Sequence, residues 1–467
     1  MPKVHDLLNF DGVVETDSGA YQILQYGDVE VQPNEIVKFQ ETLDSDIAVI
    51  LDVPTGQELS KERAKRTVDE TIRRADEALR VVSRKDILWV GPVQGGIYPD
   101  LVSYSAREMA KRDFSIHALG SPTPVMEQYE FDTLVDMVMA AKLNLPPDRP
   151  LHLFGGGHPM MFALAVALGC DIFDSASYAL FARNGRFMTV QGTAKLEDLE
   201  YFPCDCPTCH GKTPEKVRNM IPVDRERFLA SHNLHACFSE FQTIKQAIVD
   251  GRLWELVEAR SLAHPALQRA FRRVLHYAPN FEKDTPIRKK KGPFITTPAS
   301  LNRPEVIRHQ QRLLERYQAP SRANTIVLLP ESYLKPFREN PSLEKLLRKI
   351  ERQPGVHICS YNLAFAVVPQ ELLDVFPLSQ SVDALPPTTG TINYATTRIL
   401  HYLKSTAYNR CVIVVDQQWQ KKIAKSLQIK LGRRTKTKVI ESKKGAEDAL
   451  SQIPKLLKGA KRRHRIS

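Results

Sequence analysis

The chain has 467 residues, enough for two or three domains with their own cores, and its 42% hydrophobic and 25% charged residues match an ordinary soluble protein. No apolar run approaches the ~18 to 20 residues a membrane-spanning helix needs, and the N-terminal stretch MPKVHDLLNFDGVVETD has neither an apolar signal core nor a cleavage site, so a cytoplasmic location is the expectation. The net charge of +11, from 65 Lys+Arg against 54 Asp+Glu, suits a polyanionic partner and is concentrated in the runs Arg288–Lys291, Arg433–Lys436 and Lys455–Arg465. Each run reads equally well as a solvated face or tail.

Along the first 180 residues or so, short β-rich runs alternate with segments of helical period. The strand candidates are Val13–Thr16, Ile47–Val53, Ile87–Val93, Ser115–Leu119, Leu151–Phe154 and Asp171–Phe173. Between them, Val68, Ile72, Ala75, Leu79 and Val82 recur in steps of four and three and form one helical stripe; Glu130–Leu145 and Pro159–Leu168 behave similarly. This alternation predicts an α/β fold with a parallel sheet and helical crossovers. The candidate strands end in Asp17-Ser18, Asp52, Gln94, Gly120-Ser121, Gly155-Gly156-Gly157 and Asp174. Polar residues gathered at strand ends favour a TIM-like (β/α)₈ barrel, which focuses them on one centre, over a doubly wound sheet. Only six strands precede the cysteines, so the reading is a barrel lacking its first two strands, with a zinc-binding insertion and a smaller C-terminal α/β domain.

Cys204, Cys206 and Cys209 place three thiols on one loop, which argues against a secreted disulfide framework and for tetrahedral zinc. The fourth ligand is expected from His210, His232 or His235. His210 adjoins Cys209 and would strain to reach the same ion. His232 lies in a helical stretch, Arg225–Leu234, that can fold back over the loop, and is preferred. Four protein ligands fill the shell, so a single Zn²⁺ would be structural.

The expected organisation is a catalytic barrel over residues 1–278 with its zinc-binding subdomain around 200–240, a Pro-, Lys- and Thr-rich linker over 279–300, and an accessory α/β domain with a basic tail over 301–467. In that last region Ile326–Leu329, His357–Tyr361, Ala364–Val368 and Cys411–Val415 read as strands.

Thr16-Asp17-Ser18-Gly19-Ala20-Tyr21-Gln22, Leu51-Asp52-Val53-Pro54-Thr55, Val93-Gln94-Gly95-Gly96, Leu119-Gly120-Ser121, Phe154-Gly155-Gly156-Gly157-His158-Pro159, Phe173-Asp174-Ser175-Ala176-Ser177-Tyr178 and the cysteine block followed by His232-Asn233-Leu234 occur in this order. Together they resemble the tRNA-guanine transglycosylase family, in its archaeal form. The resemblance covers roughly residues 5 to 275 and, more weakly, the region after 290.

It implies replacement of a D-loop guanine in tRNA by 7-cyano-7-deazaguanine, on the route to archaeosine. A carboxylate attacks ribose C1′ and a second acid moves protons on the leaving and arriving bases, as in a retaining glycosidase. The resemblance assigns Asp174 as nucleophile and Asp17 as general acid/base. Asp52 and Gln94 would read the base edge, Ser18, Gly120, Ser121 and Gly155 would lie close to the ligand, and Tyr21 would stack on the base with Phe154 opposite. Gly155–Gly157 could instead cradle a phosphate. The implied partners are tRNA, a 7-deazaguanine base and a second copy of the chain in a homodimer. The alternative from another class is a noncatalytic tRNA-binding subunit, or half of a split transglycosylase whose partner chain supplies the missing strands or an RNA-binding module.

Overall fold

The β-rich runs of the first half become strands β1 (Glu15–Thr16), β2 (Ile47–Val49), β3 (Leu88–Val93), β4 (Ile116–Leu119), β5 (Leu151–Leu153) and β6 (Ile172–Phe173). Helices Pro33–Leu43, Lys61–Val81, Pro99–Met109, Phe131–Lys142 and Pro159–Ala167 connect them in turn. All neighbouring pairs are parallel and the spatial order is β1-β2-β3-β4-β5-β6. A doubly wound sheet reverses direction at a switch point; this one never does, so the barrel-like reading holds over the doubly wound alternative. The computed structural model describes residues 2–20, 31–56, 60–333, 341–406, 408–432 and 434–458.

One side-chain contact shows that the sheet curls. His152 on β5 lies 3.0 Å from Glu15 on β1, although three strands separate them. In a flat sheet those strands would stand about 19 Å apart at the usual spacing. The strands therefore bend round into a half-barrel. Among the described residues, β1 and β6 each pair on one side only.

The Lys61–Val81 helix illustrates how sequence sets position. Ser60 caps it by accepting from the Arg63 amide, and Ala64, Val68, Thr71, Ala75 and Ala78 form its buried face. Ile72 and Leu79 of the expected stripe lie half-buried beside that face. The helix also fixes the loop after β2: the Val53 amide donates to Thr71 Oγ1 at 3.0 Å, and Arg74 donates to the Asp52 carbonyl at 3.2 Å. Beyond β6, the hairpin β7 (Arg186–Thr189) and β8 (Gly192–Lys195) leads to the cysteine loop and the long helix Pro222–Asp250. Among the described residues no helix is long and apolar enough to cross a membrane.

The chain divides into two units, Met1–Val249 with Leu256–Tyr277, and Asp250–Glu255 with Ala278–Ser467. In the second unit, β9 (Phe294–Ile295) pairs with β13 (Val382–Asp383), apart from a five-stranded sheet. That sheet comprises β10 (Thr325–Pro330), β11 (Val356–Asn362), β12 (Ala366–Pro369), β14 (Arg410–Val415) and β15 (Lys436–Glu441) in the order β12-β11-β10-β14-β15. Only the β11–β12 pair is antiparallel. Helices Pro341–Glu351 and Ala446–Lys458 cover one face, and Thr389–Ser405 with Gln418–Leu431 the other, each over its own apolar core.

The stretch 279–300, expected to be a linker, carries structure instead: most of the Ala278–Asp284 helix, strand β9 and a 3₁₀ turn that begins at Pro298. Its charges are partly neutralised within the unit. Lys289 pairs with buried Glu305, and Lys291 with Asp250 at 2.7 Å. These lysines hold the unit's own acids and are not the free basic run that their sequence suggests.

Candidate active site and metal group

Asp17, Gln94, Gly120, Phe154 and Asp174 are the first residues past β1, β3, β4, β5 and β6, and Asp52 lies just past β2. Parallel strands all point the same way, so these residues gather at one rim. Together with Ser121, Gly155 and Gly157 they line a single cavity of about 760 Å³, a volume in the range of small-molecule sites. Ser18 is buried beside it, its amide donating to Asp17 Oδ1 at 2.8 Å. Tyr21 lies outside the described residues. Glu15, His152, His158, Phe181 and Arg186 also line the cavity, and sequence reading missed all five.

The three acids differ in environment. Burial pushes the Asp17 carboxyl up, and the nearby charges of Asp174 and Glu15 add to that push against the Ser18 and Gly19 amides; solvent in the open cavity screens it. Burial would raise Asp174 as well, but the bond from His152 Nε2 (3.0 Å) and the Gly155 amide (2.9 Å) outweigh it and hold Asp174 below the usual value. The two shifts run in opposite directions, Asp17 upward and Asp174 downward. A retaining acid–nucleophile pair requires that separation.

Asp52 is almost fully buried, and desolvation lifts its pKa to about 6, against the opposing bond from Gln94. Gln94 Nε2 donates to Asp52 Oδ2 at 2.5 Å, while its Oε1 accepts from the Thr55 amide (2.9 Å) and the Ser121 hydroxyl (3.1 Å). The amide is thereby fixed in orientation. Gly120 makes room for it, since a Cβ there would sit 2.1 Å from Gln94 Nε2.

The raised value has a consequence for stability. The folded protein keeps a proton on Asp52 that the unfolded chain releases near pH 4, so this group favours folding below pH 4. That contribution is lost as pH rises through about 6. A gap of about two pH units corresponds to roughly 3 kcal/mol. Asp52→Asn should therefore raise the thermal midpoint at pH 8 by several degrees and leave it nearly unchanged at pH 4. Calorimetry at the two pH values checks this, and an equal shift at both would contradict it.

A second group lies apart from the cavity. The thiols of Cys204, Cys206 and Cys209 and an imidazole nitrogen of His232 all lie within 4.8 Å of one another, so the four could hold a metal ion. His232 Nδ1 is 3.6 and 3.4 Å from Cys206 and Cys209 Sγ, while Nε2 meets the Met188 carbonyl at 2.9 Å. A bond from Nε2–H to that carbonyl selects the tautomer whose Nδ1 lone pair faces the sulfurs. Burial depresses the His232 pKa to about 4, which keeps the ring neutral as a ligand must be. His210 instead pairs with Asp205 on the surface at 2.8 Å, and His235 is not part of the group. Three thiols and one imidazole suit a closed tetrahedral shell. Around the group, Ala182, Phe187, Leu196, Val217, Phe228 and Leu229 form a small apolar core.

Asn233, next to His232, ties this lobe to the cavity wall. Its side chain accepts from the Met188 amide (2.9 Å) and donates to the carbonyls of Tyr178 (3.0 Å) and Arg186 (3.2 Å). On the same wall, His158 meets the Thr193 hydroxyl at 2.8 Å, and the Arg186 guanidinium sits 5.2 Å from the Phe181 ring centre.

Fold and site together define a class: a parallel half-barrel with an acid-lined cavity at its strand ends and a separate Cys₃His group. Residues 1–266 match the family described as Queuine tRNA-ribosyltransferase, and residues 306–457 match a domain of unknown function (DUF5591). The chain is 44% identical over 383 residues to a tRNA-guanine(15) transglycosylase of Methanocaldococcus jannaschii, covering 81% of this chain and 57% of that one. It is 43% identical to the protein of that name from Sulfolobus acidocaldarius, covering 81% and 74% respectively. A relative of the same name from Thermococcus kodakarensis is 47% identical over 309 residues, covering 66% and 53%. The chain belongs to the queuine tRNA-ribosyltransferase family. It spans less than two thirds of the length of two of these three relatives, 57% in the Methanocaldococcus case and 53% in the Thermococcus case.

Proposed function

We propose that the chain exchanges a guanine in tRNA for a 7-deazaguanine base through a covalent ribosyl ester on Asp174. The observation that carries this reading is the convergence of Asp17, Asp52, Gln94, Gly120, Ser121, Gly155 and Asp174 on one cavity. An Asp174 oxygen attacks ribose C1′, the C1′–N9 bond breaks, and its electron pair leaves with guanine. Asp17, pushed toward its protonated form, supplies a proton to that leaving base. The incoming base loses a proton to Asp17 and attacks C1′, and the C1′–O bond breaks to restore the Asp174 carboxylate. Two displacements give retention.

Ionised Asp52 accepts hydrogen bonds from the N–H edge of the base, and the second amide hydrogen of Gln94 is available to a base carbonyl. Phe154 contributes an aromatic wall; the stacking role proposed for Tyr21 concerns a residue outside the described set. The relatives' printed name points to guanine 15 of tRNA as the target, and the archaeal resemblance to 7-cyano-7-deazaguanine as the incoming base. Cys204, Cys206, Cys209 and His232 would hold one zinc ion per chain, whose role would be structural, tying the cysteine loop to the helix. The homodimer, and the basic tail as an RNA contact, belong to the same reading; most of that tail lies beyond the described residues.

Incubation with labelled guanine and a tRNA transcript tests the proposal. Incorporation that needs both Asp17 and Asp174 is the expected result, and none under any pairing of proteins would refute it. One observation favours a second reading, a tRNA-binding half that works with a partner chain: the one-sided pairing of β1 and β6 among the described residues. Incorporation only after a partner chain is added would select it.

A further inference from the structure

We infer that His152, braced by Glu15, is a positioning residue that pins one oxygen of the Asp174 carboxylate and leaves the other to bond with ribose. The pairing is read from geometry; the identity of the reacting oxygen rests on the transferase reading above.

His152 sits on β5 with only 3% of its side chain exposed. Its Nε2 meets Asp174 Oδ1 at 3.0 Å, and its Nδ1 lies 3.0 Å from Glu15 Oε1. The second contact has ion-pair distance but poor hydrogen-bond alignment, since Nδ1 makes no well-angled bond. The Gly155 amide also lands on Asp174 Oδ1, at 2.9 Å, so both described bonds hold the same oxygen and Oδ2 takes neither. Gly155 reaches this position with φ of +69°, where a Cβ would also lie 2.5 Å from Thr123 Oγ1. The Phe154 ring packs edge-to-face with the imidazole, with centroids 4.7 Å apart, and restrains its rotation.

The charges fit the task. Burial disfavours the imidazolium, but Asp174 and Glu15 overcome it and lift the His152 pKa to about 9, so it is charged at neutral pH. Glu15 and Asp174 are the ionisable groups that bear on it. When Oδ2 bonds to C1′, Asp174 becomes an ester and loses its negative charge. Glu15 remains to balance the buried imidazolium, so ester formation strands no unpaired cation. When the arriving base displaces the ester, the electron pair returns to Asp174 and its pairing with His152 is restored.

Two measurements on the full chain decide this. In isotope-labelled protein, the His152 ring resonance should titrate near pH 9 and fall by at least one pH unit in both Asp174→Asn and Glu15→Gln. Separately, His152→Phe should slow formation of the enzyme–tRNA adduct about 10²-fold with little change in KM for tRNA. His152→Gln, which keeps an N–H donor, should recover part of that rate and shift its acidic pH limb upward. A His152 titration identical in all three proteins, or a His152→Phe adduct rate within threefold of wild type, would overturn the inference. A wild-type chain that forms no adduct while the titration linkage holds would sink the transferase reading and leave the pairing intact.

Discussion

Asp174→Asn should lower base exchange by at least about 10³-fold, because an amide cannot form the ribosyl ester proposed for Asp174. The substitution is nearly isosteric, and its Oδ1 can still accept from His152 and the Gly155 amide. The thermal midpoint should move by only a few degrees, and binding of guanine, for which Asp52 and Gln94 past the ends of β2 and β3 are the proposed contacts, should stay within about threefold. Removing the Asp174 charge also lowers the push on Asp17, so Asp17 should titrate at lower pH in the variant. Steady-state exchange, calorimetry and guanine titration separate these effects. Exchange at a tenth of the wild-type rate or better would exclude Asp174 as nucleophile.

The second large effect concerns the metal. The core around Cys209 is small, and the loop that bears the three thiols has little regular structure of its own. A lobe of this kind would depend on a bound ion: structural zinc in small domains is bound with ~10 kcal/mol or more at neutral pH. The purified protein should contain about one zinc per chain. Chelation, or Cys206→Ser, should expose the segment from about residue 190 to 235 to protease. Asn233 carries the lobe's order to the Tyr178 and Arg186 carbonyls, so the cavity wall should loosen and exchange should fall by more than about tenfold. The five-stranded sheet of the second unit should stay folded, with its amide protection unchanged. Metal-free protein with native proteolysis and activity would remove both the ion and its structural role.

Much of the fold was legible because two periods compete openly in this sequence. Six β-rich runs and the stripe through Val68 and Ala75 fixed strands and helices in order. Polar residues at the run ends located the rim, the three-cysteine spacing located the loop of a group that could hold a metal, and the helical stretch Arg225–Leu234 pointed to its histidine. The strands themselves proved shorter than the runs: β2 stops at Val49, because the chain leaves the sheet there to bring Asp52 into the cavity.

Other features left no local trace. His152 alternates with leucines in a strand and reads as an ordinary strand residue; its contact with Glu15 arises only because the sheet curls to bring the two within reach. Strand β15 was missed because Lys436 and Lys438 alternate along an edge strand that offers solvent one polar face. Strands β9 and β13 are two residues each and far apart in sequence, so neither period nor composition signals them. The Pro- and Lys-rich stretch after residue 278 resembles a linker until Glu305 and Asp250 are seen to neutralise two of its lysines.

The most direct test of the central claim is to mix the wild-type protein with tRNA, denature it, digest both components and map the modified peptide by mass spectrometry. The account predicts a single nucleotide-bearing peptide esterified at Asp174, which disappears when excess guanine is added before denaturation. An ester on any other side chain, or an adduct that guanine cannot reverse, would contradict it.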